Sequence, residues 1–177
     1  MSRIGQHAVV IGGSIAGLMT ARVLADHFEQ VTVLERDHIE DRPAIHKSIP
    51  QGNHLHTLLQ AGQQVLARLY PGFIDRLQNL GAVRLRRTKD IAFLLADGKA
   101  YSVGGAVRQP RHLGIDVYCQ SRELLEYCVR ECTKDSANVS LHSDCAVQGL
   151  TYNDRRVGGV VLRAWRWIAL GDVGFRG

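Results

Sequence analysis

No apolar run in this sequence is long enough to cross a membrane. Ile91-Ala92-Phe93-Leu94-Leu95-Ala96 is among the longest and is only strand-sized, so no membrane span is expected. Lysine is scarce: only four of the 22 basic residues are lysine, and the positives form no block or helical stripe. The formal charge of +5 therefore reads as a solvated, arginine-rich surface, with no nucleic-acid partner. No Cys-x-x-Cys pair occurs. Cys119, Cys128, Cys132 and Cys145 complete no zinc set with a paired His or Cys motif, so buried small apolar side chains are expected and no metal site. A secretion signal is missing too: Arg3 followed by Ala8 to Ala25 imitates one, but Gly12, Gly13 and Gly17 interrupt the run and Arg22 falls inside its far end. A reducing, cytoplasmic setting follows as the expectation.

What is present suits a folded chain. Apolar residues at 45% and charged residues at 22% exclude a disordered or collagen-like polymer. A length of 177 residues holds one domain and not two full ones. A chain of this size buries roughly 70% of its extended surface on folding.

Ala8-Val9-Val10-Ile11 reads as a buried parallel strand. The turn Gly12-Gly13-Ser14-Ile15-Ala16-Gly17 follows, then a helix to about His27, then a β-branched strand Val31 to Leu34 ending at Glu35. Together these make a βαβ unit. Residues 36–56 are polar and irregular, with Pro43 and Pro50, and read as a functional loop. Leu58, Leu59, Val65, Leu66 and Leu69 recur at helical period until Tyr70-Pro71-Gly72, and a shorter helix from Phe73 closes at Gly81. Strands are expected over 83–87, 91–95 and 99–103, the last two joined by Asp97-Gly98. Ser121 caps a helix to about Lys134 with an apolar face of Leu124, Leu125, Cys128 and Cys132. Residues 139–141, 146–152 and 157–162 complete the strands.

The glycine turn carries the chemistry. In a dinucleotide fold the first glycine makes the turn, the second lets backbone approach pyrophosphate and the third lets helix and strand pack closely. Gly12 and Gly17 fill the first and third places, while Ser14 stands in the second. Glu35 lies eighteen residues beyond Gly17, near the position where a carboxylate accepts from ribose hydroxyls and repels a 2′-phosphate. A turn used only for packing is the bland alternative; strand, helix, second strand and acid in register argue against it.

At this point the sequence resembles a family. Residues 10–18 and Val31-Thr32-Val33-Leu34-Glu35-Arg36-Asp37 are similar to the FAD-binding opening of flavin-dependent monooxygenases. The loop Ile49 to Leu59, with Pro50, Gln51 and His54-Leu55-His56, is similar to the branch holding FAD-dependent oxidoreductases related to polyketide epoxidases and aromatic-ring hydroxylases. The match runs from about residue 7 to 162. It implies a Rossmann-like α/β domain with an inserted β-meander, and FAD as cofactor. Gly12, Ser14 and Gly17 would meet the pyrophosphate, with Gly13, Ile15 and Ala16 completing the turn. Glu35 would meet the ribose, Arg36 would flank adenine, and Val147 would pack beside it. The resemblance also implies that Arg122 reaches the cofactor and that His54 and His56 line the flavin ring or the substrate. His46, His54 and His56 invite a metal reading, but beside the His54-x-His56 pair no third ligand is marked, and a solvated loop is their plain alternative.

The reaction so implied is oxygen transfer to a small organic substrate, by hydroxylation or epoxidation, with NAD(P)H as electron donor. No residue is legible as catalytic. Family members are usually more than twice as long, and residues 163–177, with Trp165 and Trp167, match them imperfectly, so an incomplete domain without turnover of its own is expected. Two other readings stand beside this one: a fragment of an NAD-dependent dehydrogenase, and a non-catalytic remnant. Substrate and oligomeric state are not legible.

Overall fold

The computed structural model describes residues 3–44, 55–87, 92–94, 100–102, 112–153 and 156–163. His46, His54, the Asp97-Gly98 turn, Asp154 and residues from 164 onward, on which expectations were placed, lie outside these. The chain divides into two compact units, residues 1–50 with 129–177, and residues 51–128.

The first unit opens with β1 (Gly5–Ile11), α1 (Ile15–Ala25) and β2 (Phe28–Leu34). The second contains β3 (Leu55–Leu58), α2 (Gln60–Leu69), α3 (Phe73–Asn79), β4 (Val83–Arg87), β5 (Ala92–Leu94), β6 (Ala100–Ser102) and β7 (His112–Ser121). Helix α4 (Arg122–Lys134) carries the chain back to the first unit, which ends with β8 (Val139–His142), β9 (Ala146–Asn153) and β10 (Arg156–Arg163).

In the first unit β2 pairs in parallel with β1 on one side and β8 on the other. Val10, Ala21, Val31 and Val33 form a core cluster completed by Leu24, Ala25, Val139 and Leu141. Residues of opposite strand parity form a second cluster, in which Leu34 and Val9 meet Val147, Cys145, Val160 and Leu162 of the β9–β10 hairpin. Covered on both faces, the second half of β2, Val31 to Leu34, is buried and apolar but for one residue. Its one polar interior residue, Thr32, meets His7 Nε2 at 2.8 Å. Asn138 ties the sheet's lower end by donating to the carbonyls of Ala25 and Phe28 at 2.9 and 3.1 Å.

In the second unit the sheet is antiparallel, in the order β3-β7-β4, and β5 pairs with β6. Its core gathers Leu58, Leu66, Tyr70, Phe73, Leu77, Val117 and Tyr118, all buried. Two expectations need correction here. Leu58 belongs to a strand and not to the first helix: its backbone pairs with Tyr118, and α2 starts only at Gln60. His56 accordingly sits in β3 opposite Gln120 rather than in an irregular loop. Strand β7 had no expected counterpart at all. The end of α3 follows expectation, with Gly81 at φ 109°. The cap of α4 does as well, Ser121 Oγ accepting from the Leu124 amide at 3.2 Å. No helix among the described residues is long and apolar enough to cross a membrane.

Candidate functional site

The site grows from the end of β1. Gly12 takes φ 105°, a conformation that L side chains rarely adopt, and its amide donates to the Leu34 carbonyl at 2.8 Å. This bends the chain off the sheet and aims the first turn of α1 back across the strand ends. A Cβ on Gly17 would collide with the Gly12 carbonyl, so only glycine lets helix and turn approach this closely. Ser14, in extended backbone, stands at the head of α1, whose first turn holds no acidic residue. The first amides of a helix have no partner within it and carry the positive end of its dipole.

Glu35 closes the turn from the other side. One carboxylate oxygen accepts from the Gly13 amide at 2.6 Å and the other from the Asp37 amide at 2.9 Å. Its own amide donates to the His142 carbonyl, and its carbonyl accepts from the Cys145 amide, both at 2.8 Å. Glu35 is therefore buried, at 8% exposure, and fixed through backbone and side chain alike. A carboxylate offers about four acceptor positions, so two remain for a ligand's hydroxyls.

Ile11, Gly12, Ser14, Leu34, Glu35 and Arg36 line a cavity of about 510 Å³, within the size range of small-molecule sites. Asp37, Cys145 and the start of β9, Ala146-Val147, complete its walls. Of the residues expected to hold a cofactor, Gly12, Ser14, Glu35, Arg36 and Val147 are thus brought together. Gly13 joins them through Glu35, and Ile15, Ala16 and Gly17 form the first helical turn. Cys145 and Ala146 were not anticipated; the only sequence hint was their place beside Val147. Burial pushes the Cys145 thiol up from its ordinary value, with Asp144 adding to the effect, so it is no poised nucleophile at neutral pH.

Arg122 and His56 belong to the second unit. Arg122 begins α4; its Nε lies 3.8 Å from Glu126 Oε2 and is buried without a hydrogen bond. His56 is half-buried on β3. Among the described residues no group of three or more His, Cys, Asp or Glu is placed to hold a metal ion.

No family model matches the sequence. A curated relative, Protein Rv3254 of Mycobacterium tuberculosis, is 38% identical over 135 residues, covering 76% of this chain and 28% of that protein. PqsL, a probable FAD-dependent monooxygenase from Pseudomonas aeruginosa, superposes with a TM-score of 0.58 at 18% identity over 92% of this chain and 39% of its own. The chain shares its fold with the N-terminal FAD-binding part of FAD-dependent monooxygenases. The myxobacterial chondrochloren halogenase CndH, described as a variant of FAD-dependent halogenases, gives a TM-score of 0.60 at 21% identity over 90% of this chain and 33% of its own. p-Nitrophenol 4-monooxygenase PnpA from Pseudomonas putida gives 0.56 at 18% identity, over 87% and 35%. The expected Rossmann-like α/β class with an antiparallel insertion is what the coordinates contain. The 177 residues span well under half of each of these proteins.

Proposed function

We propose that the first unit binds the adenosine-diphosphate half of FAD, and that the chain is the FAD-binding part of a flavin-dependent monooxygenase acting on a small organic substrate. One observation carries this reading. A single cavity joins the glycine turn and α1 N-terminus to a buried carboxylate with acceptor capacity to spare.

The residues present fit the group. The acid-free head of α1 suits a pyrophosphate, and the bare Gly12 backbone leaves open space where any Cβ would stand. Glu35 takes the ribose hydroxyls, and the apolar Ala146–Val147 wall with the exposed Arg36 side chain receives adenine. Arg122 is assigned to the cofactor's charge on the family resemblance alone. His56 is assigned to the lining of the flavin ring or substrate, together with His54, which lies outside the described residues. When bound, FAD supplies the redox chemistry; the protein's part is to bind it, orient it and keep water away. Hydroxylation or epoxidation, NAD(P)H as donor and a cytoplasmic setting complete the proposal. The 177 residues by themselves are expected to give no substrate-coupled NAD(P)H oxidation.

Calorimetry with FAD, ADP and the 2′-phosphorylated analogue of ADP tests the reading. ADP should bind, and the 2′-phosphate should weaken binding because it meets the Glu35 carboxylate. Equal or tighter binding of the phosphorylated nucleotide would remove Glu35 from the ribose site, and no binding of FAD or ADP would remove the reading altogether.

A further inference from the structure

We propose that His38 and Asp144 form a proton-controlled clasp that positions the two walls of the nucleotide pocket, so that affinity for an adenosine ligand falls as His38 loses its proton. The proposal rests on the nucleotide reading above. Neither residue lines the cavity; each sits one position outside it. Glu35, Arg36 and Asp37 form one wall immediately before His38, and Cys145, Ala146 and Val147 form the other immediately after Asp144.

The two segments are already stitched by backbone. The Cys145 amide donates to the Glu35 carbonyl at 2.8 Å and the Asp144 amide to the Asp37 carbonyl at 3.3 Å. The clasp closes the outer end, with His38 Nδ1 2.9 Å from Asp144 Oδ2. Asp144 also takes φ 59°, a left-handed conformation uncommon for any residue but glycine. Its Oδ2 accepts from Ser143 Oγ at 3.1 Å as well as from His38, so the side chain holds the corner that sends the chain into the pocket wall. Weakening the His38 contact loosens one of the donors that fix this corner.

The charged surroundings favour the protonated ring. The hydrogen bond to Asp144 and that carboxylate's charge raise the His38 pKa above 6.5 against the opposing desolvation, with Glu40 and Asp41 adding smaller effects. The other charges nearby on its segment are Arg36, Asp37 and Arg42; Arg36 is 3.9 Å from Asp37 and Arg42 3.4 Å from Glu40. From α4, Arg130 donates to the Glu40 carbonyl at 2.9 Å and Lys134 lies 3.6 Å from Asp41. His142 ends β8 before Ser143 and Asp144. A raised folded-state pKa means that the clasp is complete below the ordinary histidine value and opens as pH rises through the raised one.

The probe is ADP-ribose, whose doubly esterified pyrophosphate does not titrate in this range. Its affinity is measured by calorimetry at about pH 6 and about pH 8.5, on either side of the histidine range. The wild-type protein should bind about two- to fivefold more weakly at the higher pH, the scale of an exposed ion pair. His38→Gln and Asp144→Asn, both surface changes that keep a polar partner, should abolish this step. Hydrogen exchange without ligand supplies the second readout. Protection of the Asp144 and Cys145 amides, corrected for intrinsic rate, should fall over the same interval in the wild type only. Identical protection and affinity profiles in wild type and His38→Gln would overturn the clasp. Failure to bind ADP-ribose at either pH, with the protection step intact, would instead overturn the nucleotide reading of the pocket and the affinity claim with it.

Discussion

The sheets of the two units bury their strands differently. In the parallel sheet, four consecutive residues of β2, Val31 to Leu34, are almost wholly buried, because α1 covers one face and the β9–β10 hairpin the other. In the antiparallel sheet, Val83 of β4 is 58% exposed, while Val117, Tyr118 and Gln120 of its neighbour β7 are buried. Parallel pairing forces both faces under cover, so the buried run is apolar except where a polar group finds a partner, as Thr32 does in His7. The antiparallel sheet leaves part of its surface to solvent, and its sequence can mix residue types. The first unit also sets one glycine, Gly17, directly against backbone, whereas in the second Gly62 faces the end of the Leu58 side chain.

That last difference yields the largest expected effect. Gly17→Ala would drive a Cβ into the Gly12 carbonyl, which cannot move without dismantling the turn. A loss of about 3 kcal/mol or more in chemical denaturation, with loss of ADP binding, is expected. In the second unit, Gly62→Ala would press only on the flexible end of Leu58, at 2.8 Å, and alanine in a helix interior gains about 1 kcal/mol over glycine. Near-neutral stability is expected there. Equal losses at both positions would erase the contrast.

Next in size is Glu35→Gln. The shape is kept, but one carboxylate oxygen becomes an NH2 facing either the Gly13 or the Asp37 amide, donor against donor. Leaving a buried amide unmet costs about 1–3 kcal/mol, and ADP affinity should drop with it. Stability unchanged within error, measured by urea unfolding, would mean that these two hydrogen bonds do not hold the turn.

The same contrast explains what the sequence disclosed. The stretch from Ala8 to Glu35 was legible because each demand is local. A buried parallel strand must be a β-branched run, a left-handed residue at the turn must be Gly12, and an acid must follow the second strand. Val147 was legible only through resemblance, since nothing local marks a residue that reaches the pocket from more than a hundred positions away. Strand β7 went unseen because Gly114, Asp116 and Gln120 break its apolar pattern, although polar groups of other elements hold Asp116 in place. Gln63 Nε2 donates to the Asp116 carbonyl at 2.7 Å, and Arg84 and Arg86 hold its carboxylate. Leu58 was misread because a leucine pair ahead of a helix fits helical spacing as well as strand alternation. Pairing with Tyr118 decided it, and that is tertiary information.

A smaller effect tests the seam where the two units share a helix. Ser121→Ala removes the acceptor for the Leu124 amide at the head of α4 and should cost about 1 kcal/mol. Hydrogen exchange should quicken at Leu124 and its neighbours in the first turn of α4. Unchanged exchange at Leu124 in Ser121→Ala would show that the serine hydroxyl does not cap this helix.

The smallest effect concerns acid. The hydrogen bond from Arg84 holds the Asp116 carboxyl below its usual range, Arg86 adds to this, and desolvation opposes both. Arg84 also lies over the Tyr118 ring, 5.9 Å from its centre, so the carboxylate fixes a cation against the buried part of the sheet. A depressed folded-state pKa contributes stability that is present above the unfolded value of about 3.8 and is lost as pH falls through the folded one. Both partners are partly exposed, so the contribution is modest. Asp116→Asn should therefore lower the melting temperature slightly near neutrality and not at all once pH is well below the carboxylate range. Amides of β4 and β7 should report the change, while those of β1 and β2 should not. If Asp116→Asn were equally destabilising at both pH values, the arginine pair would be packing the sheet through its aliphatic stems, and the charge on Asp116 would be incidental.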